Sequence, residues 1–144
     1  MQLIQFRSSL LAIAALTGTA TQPACADVDW FQTPSHNIQC TIGMDFNTPS
    51  DIECEIEQTE GPPARPRPAG CNAGWGHTFR LRSVGTVTID CAEPPVIKPE
   101  GNVFEYGSTH DFLGIFCASS RQGFYCGNRD GHGFFLSRAK QTIH

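Results

Sequence analysis

The sequence lacks the patterns that mark many enzymes and metal sites. It contains no His-Glu-x-x-His, no Cys-x-x-Cys and no Gly-x-Ser-x-Gly, so it offers no zinc-protease motif, no close-spaced thiol pair and no nucleophilic-serine turn. Its 10 Lys and Arg are outnumbered by 14 Asp and Glu, and none of the basic residues lies in 27–60. Because an acidic surface repels phosphate backbones, we expect no nucleic-acid partner. We also expect no cofactor.

Long apolar runs are absent except near the N-terminus. Residues 10–20 are apolar but too few to span a bilayer, a positive charge precedes them, and Ala-Cys-Ala at 24–26 fits the pattern cleaved by signal peptidase. We therefore predict a signal peptide over 1–26 and a single exported domain over 27–144, secreted or periplasmic, with no membrane contact after cleavage. Lipidation at Cys25 is the weaker alternative, since the residues before it do not fit a lipoprotein signal.

The cysteine count predicts a disulfide framework. Cleavage would remove one of the 7 cysteines and leave an even number in an exported chain, which is typical of small secreted domains held by disulfides. Many pairings are possible, and we favour the three that close local loops. These are Cys40–Cys54, Cys71–Cys91 and Cys117–Cys126.

The remaining pattern is alternation of apolar and polar residues, with no helical stripe of useful length. It is clearest in residues 37–42 and 51–57. If Cys40 lies opposite Cys54, the isoleucines of both segments share one face, and no like charges oppose each other on the second face. The fold class predicted is all-β: a small disulfide-stapled domain of antiparallel hairpins forming a curved sheet or small barrel.

Two further hairpins and two connectors complete this prediction. The hairpins are expected at 77–90 and 113–128, each containing or adjoining a predicted disulfide. The proline-rich stretches 60–70 and 93–101 are expected to be extended, exposed and stiff, because proline fixes φ and favours polyproline II. We interpret them as spacers between the hairpins.

Two motifs resemble a known family. "FQTPSHNIQC" at 31–40 and "CGNRDGHGFFLSR" at 126–138, with "EYG" at 105–107, are similar to an uncharacterised family of small secreted bacterial proteins. That family opens with Phe-x-Thr-Pro-Ser-x-Asn-Ile-x-Cys and closes with Gly-His-Gly-Phe. The resemblance implies an exported disulfide-bonded domain and no particular activity. The family pattern usually has Gly where His36 stands, which implies a backbone position with positive φ.

His132, between two glycines, has two interpretations. The favoured one is structural: "NRDGHG" forms a turn, and the imidazole bonds a neighbouring carbonyl. The alternative makes His132 a general base with Asp130 or a partner of His110 in a small secreted hydrolase or metal-dependent enzyme. No metal ligand set is evident in the spacing of the histidines.

Candidate binding residues lie elsewhere. Trp75 stands in a Gly-rich stretch, His132 lies in a loop, and acidic side chains alternate along one strand as Glu53, Glu55 and Glu57. Our leading hypothesis is an exported, non-catalytic binding or interaction module of unknown ligand. One subtype is an inhibitor or binder of a basic protein such as lysozyme, which an acidic face would suit. A further alternative is an envelope-structural protein without a ligand.

Overall fold

The computed structural model describes residues 27–45 and 48–144. The signal peptide predicted over 1–26 lies outside these residues. Across the described ranges the chain forms strands and loops and no helix, so the all-β prediction is confirmed. No helix long and apolar enough to cross a membrane occurs there.

The first sheet contains five antiparallel strands, each hydrogen-bonded to the next along the chain. The strands are β1 (Asp27–Gln32), β2 (Ile38–Asp45), β3 (Thr48–Ile56), β4 (Thr78–Arg82) and β5 (Thr88–Asp90). The second sheet also contains five antiparallel strands in chain order. Its strands are β6 (Thr109–Asp111), β7 (Ile115–Ser120), β8 (Gly123–Asn128), β9 (Gly133–Leu136) and β10 (Gln141–Ile143).

The first predicted hairpin forms in the expected register. Cys40 lies opposite Cys54, Ile38 opposite Ile56 and Ile42 opposite Ile52, and all six side chains are buried. The Cys40–Cys54 disulfide joins residues whose Cα atoms are 4.1 Å apart. One register therefore satisfies both the disulfide and the apolar face, which is why alternation was enough to predict it.

The other two predicted disulfides are also confirmed. Cys117 lies opposite Cys126 in the β7–β8 hairpin, with 4.2 Å between the Cα atoms. Cys71 precedes β4 and bonds Cys91, the residue after β5, across 5.6 Å between Cα atoms. Three intramolecular disulfides are compatible with an oxidising compartment outside the cytoplasm.

The core lies between the two sheets. A single sheet with one apolar face must cover that face, and here each sheet covers the other. Phe79 of β4 packs on Phe134 of β9 with 5.8 Å between ring centroids. Phe31 of β1 packs on Phe124 of β8 at 5.5 Å. The hairpins predicted from the sequence are thus divided between two sheets that share one core.

The proline-rich connectors are mostly exposed, as predicted, but they are not free spacers. In the first, the Glu60 N–H donates to the carbonyl oxygen of Arg138 at 2.7 Å. In the second, Ile97 is buried and the Lys98 carbonyl oxygen accepts a hydrogen bond from the Gln32 side chain of β1; just after this connector, Val103 forms a parallel bridge with Gln32. The second connector therefore covers part of the outer edge of the first sheet, where unpaired backbone groups would otherwise invite aggregation.

Candidate functional site

A small polar cleft lies at the seam between the two sheets. It has a volume of about 180 Å³, and its walls come from the turn after β1, the segment before β6, the β7–β8 hairpin and the β9–β10 turn. Polar side chains dominate the lining. The lining residues are Thr33, Ser35, Asn37, Ile38, Tyr106, Ser120, Arg121, Gln122, Gly123, Ser137 and Arg138. We call this site the seam cleft.

The Thr-Pro-Ser turn builds one wall of the seam cleft. The Thr33 N–H donates to the Ile38 carbonyl oxygen, and the His36 N–H donates to the Thr33 carbonyl oxygen, both at 2.9 Å. His36 has φ of 53°, in the left-handed region that the family pattern implies by placing Gly there. The His36 Nδ1 lies 2.9 Å from Gln32 Oε1, so a local side-chain contact holds this conformation.

Two arginines give the seam cleft a positive charge. The guanidinium of Arg121 lies over the ring of Tyr106, 5.3 Å from its centroid, as in a cation–π contact. Arg138 also lines the cleft, and no carboxylate of the described residues is among the lining. Within the described ranges, every salt bridge involves Arg80, so neither arginine of the cleft is paired with a described carboxylate.

The acidic strand predicted as a binding face is partly neutralised by Arg80. This side chain lies opposite Glu53 on the neighbouring strand and hydrogen-bonds its carboxylate. It also contacts Asp90 at 3.2 Å and Asp51 at 3.7 Å. Burial lowers the pKa of the Arg80 guanidinium, but the hydrogen bond to Asp90 and the surrounding carboxylates together outweigh burial and raise it. Less free negative charge remains on this face than the sequence suggested.

The other two acidic candidates differ in their surroundings. Glu57 accepts a hydrogen bond from the Ile97 N–H at 3.3 Å, which helps to hold the second connector. Glu55 lies between the uncharged Gln39 and Thr78. Burial raises the pKa of the Glu55 carboxyl, and the charge of Glu53 raises it further. Binding of a basic protein at this face stays a prediction.

Replacing Glu55 with glutamine should stabilise the protein at neutral pH. Since the pKa of Glu55 is higher in the folded state, ionisation disfavours folding, and this cost appears as pH rises above the unfolded value of about 4.3. We expect a gain of up to about 0.5 kcal/mol at pH 7 and almost none at pH 3. Thermal denaturation at both pH values measures it. Glu93→Gln, at an exposed loop position, is the matched control; an equal gain there would contradict the interpretation.

The structure places His132 in a turn between β8 and β9. Its N–H donates to Asn128 Oδ1 at 3.1 Å, and its Nδ1 lies 3.4 Å from the carbonyl oxygen of His144. Gly131, just before it, has φ of 81°. The Asp130 carboxylate accepts a hydrogen bond from the Gly85 N–H at 2.7 Å, and so links this turn to a loop of the first sheet. These contacts give His132 and Asp130 structural roles in the turn.

His110 does not converge with His132. His110 lies on β6 with its ring 4.5 Å from that of Phe112, centroid to centroid. Two strands separate β6 from β9, which at ordinary strand spacing places them about 14 Å apart. Nor, among the residues that the structure describes, do three or more His, Cys, Asp or Glu side chains gather as a metal site would require.

Trp75 is half-buried and fastens a connector. Its indole N–H donates to the carbonyl oxygen of Arg65 at 2.7 Å. The ring therefore holds the proline-rich stretch against the loop before β4. Trp75 is a binding candidate in the sequence analysis because of its Gly-rich setting. In the structure, this Gly-rich stretch takes part in a contact between two loops.

The seam cleft itself was missed by the sequence analysis. The available signals were the Thr-Pro-Ser motif, which served only for the family resemblance, and the "SSRQG" turn at 119–123 within the hairpin predicted at 113–128. Arg121 and Arg138 lie 17 positions apart in the chain, and only the folding of two hairpins brings both to the same cleft.

These features define a small two-sheet β domain held by three disulfides, with a basic polar cleft at the seam of its sheets. The chain belongs to DUF6636, a family of unknown function, whose profile matches residues 8–144. The resemblance to an uncharacterised family is therefore confirmed. No curated protein and no solved structure matches the chain.

Proposed function

We propose that this protein is an exported, non-catalytic binding module and that the seam cleft is its ligand site. The observation that carries the proposal is the pair of arginines, Arg121 and Arg138, in a concave site without a lining carboxylate. Guanidinium groups are strong donors with a fixed planar geometry, and they favour anionic partners. Three disulfides support a secreted or periplasmic location.

The size and lining of the cleft favour binding of a small group. At about 180 Å³ it is smaller than the sites that enclose drug-sized molecules, which start near roughly 300 Å³. It therefore suits a small molecule or the end of a larger ligand. Neither a carboxylate nor an imidazole lines it, so the lining supplies hydrogen bonds and charge rather than the usual general base.

A thermal-shift panel on the oxidised protein tests the proposal. The panel contains sugars, sugar acids, inorganic phosphate, divalent metals and a basic protein. A ligand at a hundred times its Kd adds about 2.7 kcal/mol, or a shift of several degrees. We expect at least one small molecule to raise Tm and the shift to vanish in Ser35→Trp, which fills the mouth of the cleft at an exposed position.

The control is Asn72→Trp, which adds the same indole at an exposed loop position outside the lining set. It should leave every shift unchanged. If no small molecule shifts Tm, or if the shifts survive Ser35→Trp, the seam cleft is not the ligand site.

A further inference from the structure

We infer that the seam cleft recognises a hydroxylated anion, such as a sugar acid, in which a carboxylate and hydroxyl groups belong to one small molecule. The inference rests on the proposed function and adds the ligand class. Some hydrogen-bond donors and acceptors of the lining already bond within the protein. The groups that remain free indicate the kind of ligand.

The arginines of the cleft can only donate hydrogen bonds. The Arg121 guanidinium lies over the Tyr106 ring, and its N–H groups have no described carboxylate partner. Arg138 contributes a second set of donors. Because neither has a described carboxylate partner, the donors of both remain available to an anionic ligand.

The serines of the cleft are left mainly as acceptors. The Ser120 hydroxyl donates to the Gly123 carbonyl oxygen at 3.0 Å, and the Ser137 hydroxyl donates to the Lys140 carbonyl oxygen at 3.1 Å. A hydroxyl has a single hydrogen. The Ser137 oxygen also accepts a hydrogen bond from the Lys140 N–H at 3.0 Å, so it retains one lone pair for a ligand, whereas the Ser120 oxygen retains both; neither hydroxyl keeps a donor.

Ser35 is also left as a hydrogen-bond acceptor, and the reason involves the Thr33 hydroxyl. The Thr33 hydroxyl donates to the Ile38 carbonyl oxygen at 3.4 Å. Its oxygen also lies 3.1 Å from Ser35 Oγ; when Thr33 donates to the carbonyl, the hydrogen of the contact between the two hydroxyls comes from Ser35. The Ser35 oxygen thus keeps only lone pairs for a ligand.

The lining therefore combines two sets of groups. The guanidinium groups donate hydrogen bonds and favour an anion, whereas the serine oxygens accept hydrogen bonds and need O–H donors from the ligand. Acetate would satisfy the arginines and leave the serine oxygens without donors. Inorganic phosphate at neutral pH still carries O–H hydrogen, but beside its own oxyanions, so it reaches fewer of the serine oxygens than the ring hydroxyls of a sugar do. A neutral sugar would satisfy the serines and leave both guanidinium groups without an anion. A small sugar acid satisfies both sets at once, and its size fits the cleft of about 180 Å³.

An NMR titration with four probes separates these cases. Amide ¹H–¹⁵N spectra of the oxidised protein are recorded with glucuronate, glucose, acetate and inorganic phosphate. We expect glucuronate to shift amide signals of the cleft residues and to bind at least about tenfold more tightly than the other three, since it alone combines an anion with several separated hydroxyl groups.

Arginine variants then test which side chains bind the anionic group of the ligand. Arg121→Gln and Arg138→Gln should each weaken glucuronate binding by about tenfold or more. Arg67→Gln, on the exposed first connector, should have no effect, and the amide spectra report at the same time whether each variant is folded.

The results distinguish failure of the hydroxylated-anion assignment from failure of the binding-module proposal. Equal affinity for glucose and glucuronate, equal affinity for phosphate and glucuronate, absence of glucuronate shifts, or insensitivity to both arginine variants would each overturn the hydroxylated-anion assignment. The binding-module proposal survives any of these if another small molecule gives a thermal shift that Ser35→Trp abolishes. If no small molecule gives such a shift, the binding-module proposal falls as well.

Discussion

Replacement of Phe124 by alanine is expected to lower the free energy of unfolding by about 3–5 kcal/mol. Phe124 is fully buried on β8, and its ring packs on Phe31 of the first sheet at 5.5 Å and on Phe104 at 5.7 Å between centroids. Removing the ring leaves a cavity at the contact between the sheets, where well-packed side chains relax only partly. Urea denaturation without reductant measures the change.

Phe116→Ala is the matched control for this cavity. Phe116 lies on β7, the strand beside Phe124, but its side chain is 45 % exposed on the outer face. We expect the same truncation to cost less than about 1 kcal/mol there. Similar losses at the two positions would mean that the packing between the sheets does not dominate stability.

Removing the first disulfide is expected to have an effect of similar size. Cys40 and Cys54 close a loop with a sequence separation of 14, for which loop entropy alone predicts about 3 kcal/mol. Both side chains are fully buried, so changing both to alanine also removes packing volume from the core. We expect a total loss of about 3–4 kcal/mol in denaturation experiments without reductant.

The Cys71–Cys91 pair provides the comparison. Its sequence separation of 20 gives a comparable entropic effect. Cys91 is exposed, and Cys71 is buried but lies outside the core cluster, so less core volume is lost. The double alanine variant at 71 and 91 should therefore be the less destabilised of the two. The opposite order would show that strain or unfolded-state structure outweighs core packing.

The local part of the fold was predictable because alternation and cysteine spacing act over short distances. The pairing of Cys40 with Cys54 fixes the β2–β3 register from Ile38 to Gly43, since a shift by one residue would turn the isoleucines to solvent. The arrangement of hairpins into two sheets was not predictable in this way. It depends on contacts distant in sequence, such as the bond from the Ser50 hydroxyl to the Phe112 carbonyl oxygen at 3.0 Å.

The candidate site, too, was not predictable from local sequence patterns. Histidine and tryptophan drew attention in the sequence because of their chemistry, yet His132 and Trp75 make structural hydrogen bonds to backbone atoms. The cleft arginines carried no local motif. Their significance comes from the absence of a described carboxylate beside them, which is a property of the folded surface and not of neighbouring residues in the chain.

The placement of the disulfides has a consequence for biogenesis. Their sequence separations are 14, 20 and 9, and none links 27–91 to 109–144. In an oxidising compartment each thiol pair can therefore oxidise once its own loop has emerged, at low loop-closure cost and in order from the N-terminus. Docking of the second half onto the first is then a separate noncovalent step, and a thiol oxidase acting early would favour the native pairs over the alternatives.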